Sequence, residues 1–170
     1  MDINNIDLSK LPPDSRKEFM KLAIKLSEKK KGSQVSSDFL TFVKHIWPQF
    51  IEGSHHKTIA EKFNKLANGE IKRLIINMPP RHTKSEFASN LLPAWMIGRK
   101  PDLKIIQTTH TTELAVRFGR KAKTLIDSPE YQQVFKTRLK EDSQAAGKWE
   151  TSKGGEYYAA GVGSAITGRG

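Results

Sequence analysis

The sequence predicts an α/β protein, a parallel sheet with flanking helices, incomplete and preceded by N-terminal helices. Two short apolar runs, Arg73–Asn77 and Lys104–Thr108, have the character of buried strands. Each leads into a longer stretch with apolar residues at helical spacing, so the order strand–helix–strand–helix implies βαβ units. A length of 170 residues with 36% hydrophobic content suits one domain able to bury a real core.

The elements follow in order. Residues 14–31 form a helical pattern marked by Phe19, Leu22, Ala23 and Leu26. Lys29-Lys30-Lys31 suits the negative end of its dipole, and Gly32-Ser33-Gln34 is expected to break it. Residues 1–35 are therefore expected to be an arm or linker, and 36–170 a partial domain. A second helix is predicted from Ser37 to Trp47, capped by Ser36 or Ser37, with Trp47-Pro48 ending it. A third covers His55 to Ala67, with Asn68-Gly69 as its stop. After the first strand a helix is predicted from Lys84 to Ile97, in which Pro93 implies a kink. Gly98–Pro101 is a turn. The second strand precedes a helix over Thr112–Ile126, which Ser128-Pro129 ends, and one further helical turn spans 130–135. Trp149–Ala160 has the pattern of a β-hairpin turning at Gly154-Gly155. The last ten residues hold four glycines and stop abruptly, which leads to the expectation of a chain cut short.

Charge and composition narrow the function classes. Lys+Arg 29 against Asp+Glu 18 gives a net charge of +11. That excess favours a polyanionic partner such as nucleic acid, or anionic substrates, although a basic protein need bind neither. With no cysteine there is no disulfide, thiolate metal site or cysteine nucleophile. No apolar run approaches the ~20 residues needed to span a bilayer, and Met1–Asp7 lacks the regions of a signal peptide.

The most informative stretch is Leu74 to Ser85: apolar strand, Pro-rich basic loop, then Lys84-Ser85 opening a helix. That is the layout of a nucleotide phosphate site of the P-loop NTPase type. Backbone N–H groups and the helix N-terminus face the phosphates, a Lys reaches the β/γ oxygens, and a Ser hydroxyl ligates Mg²⁺. Pro80, Arg81, His82, Thr83, Lys84 and Ser85 are thus the candidate residues for ATP, with Ser85 the candidate Mg²⁺ ligand. The spelling is irregular: glycine normally stands at the positions held here by Met78 and Thr83. A β-branched residue is expected to need an ordinary backbone conformation, so the loop works only where its geometry suits Thr83.

Other residues leave alternatives open. Arg81 could contact a γ-phosphate or be a surface arginine. His82 fits a structural or solvent-facing role better than a catalytic one. His55-His56 has no third ligand at usable spacing, so a helix-start role or a nucleotide-base contact outweighs a metal. Thr108–Thr112 would lie near a ligand crevice, or simply supply Thr112 as a cap. Arg169 stands between two glycines, which suits an arginine offered to a neighbouring subunit's phosphate, a nucleic-acid contact, or no role.

The run Arg73-Leu-Ile-Ile-Asn-Met-Pro-Pro-Arg-His-Thr-Lys-Ser-Glu86 carries a family likeness. With Pro93-Ala-Trp95, Gly98-Arg99, Tyr131-Gln132, Trp149-Glu-Thr151, Gly154–Gly163 and Ile166–Gly170, it resembles the large terminase subunit of tailed bacteriophages. The likeness covers roughly residues 38–170. It implies an ATPase that drives double-stranded DNA into a capsid in the host cytoplasm, partnered by a small terminase subunit and a portal protein and able to assemble as a homo-oligomeric ring. It further implies that Lys84 and Ser85 hold phosphate and Mg²⁺, that Arg81 is the loop arginine, and that Arg169 is an arginine finger. An acidic strand and a nuclease domain are expected after Gly170, so this chain by itself is expected not to sustain hydrolysis. The rival expectation is a basic, non-catalytic module that binds DNA or protein and keeps a vestigial phosphate loop.

Overall fold

A computed structural model describes residues 12–143, 145–164 and 166, apart from the side chains of Pro13 and Glu28. Helix α1, Pro13–Ser37, runs through the expected break. A glycine inside a helix costs only about 1 kcal/mol relative to alanine. Ser36 and Ser37 close the helix by donating to the Ser33 and Gln34 carbonyls at 2.9 and 3.2 Å. They therefore finish α1 and do not cap the next helix. Val35 is buried in the core, whereas Met20, Leu22, Ile24 and Leu26 remain at least half exposed among the described residues.

Asp38 caps α2, Phe39–Ile46, accepting from the Thr41 amide and hydroxyl at 2.7 Å each. Its other oxygen accepts from Asn64 of α3, Ser54–Ala67, and the Asn64 oxygen in turn accepts from the Phe39 amide at 2.9 Å. Partial burial pushes the Asp38 carboxyl upward most strongly. Bonds from Thr41 and Asn64, with the Lys44 charge, together outweigh it and hold the group below its ordinary value. The lowered value means the cap's contribution is complete above the ordinary Asp range and fades as pH falls through the native value. Asp38→Ala is expected to cost about 1–2 kcal/mol, read as a lower urea midpoint, and to flatten the acid limb of stability against pH.

The helix that begins at Lys84 contains a π-helical segment, Glu86–Leu91, which passes directly into α4, Leu92–Arg99. Pro93 cannot donate, and its ring crowds the carbonyl four residues back. The disturbance is taken up one turn earlier, where the Leu92 amide bonds the Phe87 carbonyl five residues back.

Strand β1, Lys104–Thr109, precedes α5, Thr112–Ile126, and α6, Pro129–Val134. Strands β2, Lys148–Glu150, and β3, Glu156–Gly161, form the expected hairpin, with Gly154 at φ 85 in its turn. The strand order is β1-β3-β2, with β1 and β3 parallel from Lys104↔Glu156 to Thr109↔Gly161. The expected parallel sheet is thus a mixed one, because the hairpin places β2 antiparallel.

Arg73–Asn77 does not join that sheet. It is extended, with Leu74 and Ile76 packed on the core and Ile75 86% exposed, but it has no ladder partner among the described residues. Side-chain alternation shows extended backbone; it does not supply a neighbouring strand. The core is one cluster centred on Phe39, Phe42, Phe63, Phe87, Trp95 and Trp149. Among the described residues no helix is long and apolar enough to cross a membrane.

Candidate functional site

The loop from Met78 to Ser85 leaves the extended segment and turns into the helix over the buried ring of Phe87. Arg81 and Thr83 both have left-handed backbone, at φ 64 and φ 60. Thr83 therefore departs from the ordinary conformation its β-branch leads one to expect. Such a residue at positive φ is a true outlier and costs of order 1–3 kcal/mol.

Side-chain bonds meet Thr83 at this point. The Gly53 amide donates to Nδ1 of His56 at 2.9 Å, so that nitrogen carries no proton. Nε2–H of His56 then donates to Oγ1 of Thr83 at 2.7 Å, and the Thr83 hydroxyl donates onward to the His82 carbonyl at 2.6 Å. His56 is 5% exposed, packed against the rings of Phe50 and Phe87 at 4.7 and 5.1 Å between centroids. Burial is the main influence lowering its pKa. The neighbouring His55 and His82 act in the same direction and Glu52 opposes them. His56 thus has the helix-start role, as the partner of the amide preceding α3.

Lys84 is half-buried and its ammonium donates to the Met78 carbonyl at 3.1 Å, folding back across the loop. Ser85 is exposed at the first helical turn, where amides have no intrahelical acceptor. Glu86 points the other way, accepting from Asn90 at 2.6 Å and from Lys121 of α5 at 2.8 Å. The Pro80 and Arg81 side chains are exposed, and Nδ1–H of His82 donates to the Pro80 carbonyl at 2.8 Å. Pro80, Arg81, His82, Thr83, Lys84 and Ser85 thus lie on one tight loop. Arg169 lies outside the described residues. Beside the loop runs a groove of about 410 Å³ between α3 and the extended segment, lined in part by His55, Ile59, Lys62, Ile76 and Met78.

The polar stretch after β1 closes a second turn cluster. Thr111, and not Thr112, caps α5 by accepting from the Leu114 amide at 3.3 Å. Thr112 instead meets Ser164 at 3.3 Å, and the Val162 amide donates to the Thr109 carbonyl at 3.0 Å. The C-terminal ends of β1 and β3 are thereby tied together at one sheet edge. No group of three or more His, Asp and Glu able to hold a metal occurs among the described residues. Comparison with family models, curated proteins and solved structures finds no match.

The His56–Thr83 contact is the feature that sequence reasoning missed. The two residues are 27 positions apart, on elements whose packing no local pattern encodes.

Proposed function

We propose that the chain is the nucleotide-phosphate-binding part of a DNA-packaging motor ATPase of the large terminase type, with a P-loop NTPase-type core. The observation that carries the reading is Thr83. A β-branched residue is kept left-handed directly before Lys84, in the position where a phosphate loop ordinarily has glycine. Strained backbone that the surroundings maintain is a mark of functional loops. Arg81, two residues earlier, is also left-handed, and a loop that carries left-handed residues is the kind of backbone whose amides can gather around anionic oxygens.

In this reading Lys84 exchanges the Met78 carbonyl for β/γ-phosphate oxygens, and the Ser85 hydroxyl holds Mg²⁺. Mg²⁺ would supply neutralisation of phosphate charge. Arg81 is free of the helix and long enough to reach a γ-phosphate, and Arg169 is the proposed finger for a neighbouring copy in a ring. The net charge of +11 fits double-stranded DNA as partner, and the small terminase subunit and portal protein are proposed with it, in the host cytoplasm.

A second reading, a basic binding module with a vestigial loop, draws on α1. Lys17, Lys21, Lys25 and Lys29 recur at every fourth position and are all exposed. Like charges at that spacing repel one another on an isolated helix, and a polyanion would relieve the repulsion.

Titration with a fluorescent ATP analogue, with and without Mg²⁺, separates the two. Mg²⁺-dependent binding that Lys84→Ala weakens by at least about tenfold supports the phosphate loop. A salt-dependent DNA affinity unmoved by Lys84→Ala, in a chain that binds no ATP, favours the module.

A further inference from the structure

We propose that His56 is the positioning residue of the phosphate loop: its neutral imidazole, held as the Nε2–H tautomer, keeps Thr83 left-handed and so sets the direction of the loop's amides. The functional part of this inference rests on the phosphate-loop reading; the latch itself stands on geometry alone.

The backbone dictates the tautomer. An amide is an obligatory donor, so Gly53 N–H at 2.9 Å leaves Nδ1 of His56 as acceptor and Nε2 as the only protonated nitrogen. That hydrogen faces Oγ1 of Thr83 at 2.7 Å, whose own hydrogen is committed to the His82 carbonyl at 2.6 Å. Each donor in the relay has one acceptor, and the relay ends on the residue that precedes the strained one. The imidazole cannot swing away, because Phe50 and Phe87 pack against it and His55 lies 3.8 Å from it between ring centroids.

The latch also explains why threonine is tolerated at position 83. Glycine would adopt φ 60 without help, but it would offer no hydroxyl to His56. Threonine needs the latch, and the latch needs threonine's oxygen. A second proton on His56 would set an Nδ1–H against the Gly53 amide and break the relay at its origin. The charged and titratable groups facing the imidazole are His55, His82 and Glu52, and the two histidines add to the resistance against that proton.

Two measurements test this. A ¹⁵N–¹H imidazole spectrum of the full chain near pH 8 should report the Nε2–H tautomer for His56. The Nδ1–H form, or fast averaging of both, overturns the proposal.

The second is a double-mutant cycle on His56→Ala and Thr83→Gly, read in Mg²⁺-ATP-analogue affinity and urea midpoint. His56→Ala alone should weaken affinity about tenfold and lower the midpoint, whereas in the Thr83→Gly background its effect on both should largely vanish. Equal effects of His56→Ala in both backgrounds overturn the proposal. Should His56→Ala fail to fold, His56→Gln, which retains a donor toward Thr83, replaces it in the cycle with the same expectation at smaller amplitude. If the wild-type chain binds no nucleotide, the phosphate reading fails and the tautomer and the urea cycle still decide the latch.

Discussion

Phe39→Ala is expected to lower unfolding stability by about 3–5 kcal/mol, measured by urea or thermal denaturation. Phe39 is fully buried at the N-terminus of α2 and meets four other aromatic rings. It lies edge-on to Phe63, Phe87 and Trp95 at 5.1, 5.5 and 5.4 Å, and tilted to Phe42 at 6.5 Å. These rings come from α2, α3, the π-helical segment and α4, so one truncation opens a cavity that four elements would have to fill by moving together. Phe87 carries the effect to the candidate site. It stands between Phe39 and His56, and the loss of its backing should broaden the imidazole signal of His56 before the chain unfolds globally. A stability loss below about 1 kcal/mol would show that the helices close around the gap.

Trp149→Ala should cost a similar amount, about 3–5 kcal/mol, but through the sheet. Trp149 is fully buried on β2, stacked on Tyr157 of β3 with centroids 4.8 Å apart and planes within 3°. Its indole N–H donates to the Gly119 carbonyl of α5 at 3.1 Å. Gly119 cannot be enlarged in compensation, since a Cβ there would stand 2.5 Å from the Ala146 carbonyl oxygen. Trp149→Phe retains an aromatic surface for Tyr157 and loses the hydrogen bond and part of the volume. Its cost should therefore be distinctly smaller, and the difference between the two variants measures the stacked face apart from the N–H. Equal costs would assign the whole contribution to the indole N–H and its volume. The near-ultraviolet signal of the Trp149–Tyr157 pair gives an independent readout of whether the hairpin stays seated.

Much of the helical framework was legible because amphipathic spacing is a local property. The stretch Thr112–Ile126 has bounds that Ala115, Ala122 and Ile126 mark by periodicity, and all three are buried. The hairpin was legible from Gly154-Gly155 flanked by β-branched and aromatic residues. Helix ends were less so. Ser36, Ser37 and Asp38 are all cap-type residues in sequence, and Asp38 is the one that caps because its carboxylate accepts from the Thr41 amide while Ser36 and Ser37 bond back into α1. The parallel pairing was expected around Arg73–Asn77, yet it joins β1 to β3, since a ladder depends on which strands the crossover brings together.

At the candidate site the division is the same. The order of Pro80, Arg81, His82, Thr83, Lys84 and Ser85 between an extended run and a helix was set by sequence, because each of those residues acts through its neighbours along the backbone. The left-handed φ at Thr83 was not, because a β-branched side chain disfavours that conformation and no local pattern signals the His56 contact. The contact that meets Thr83 there comes from His56 on α3, 27 positions away and packed against the aromatic core. Local chemistry thus determined the order of residues along the candidate loop. Tertiary packing brought His56 to the loop, since a hydrogen bond between residues 27 positions apart depends on how their elements pack.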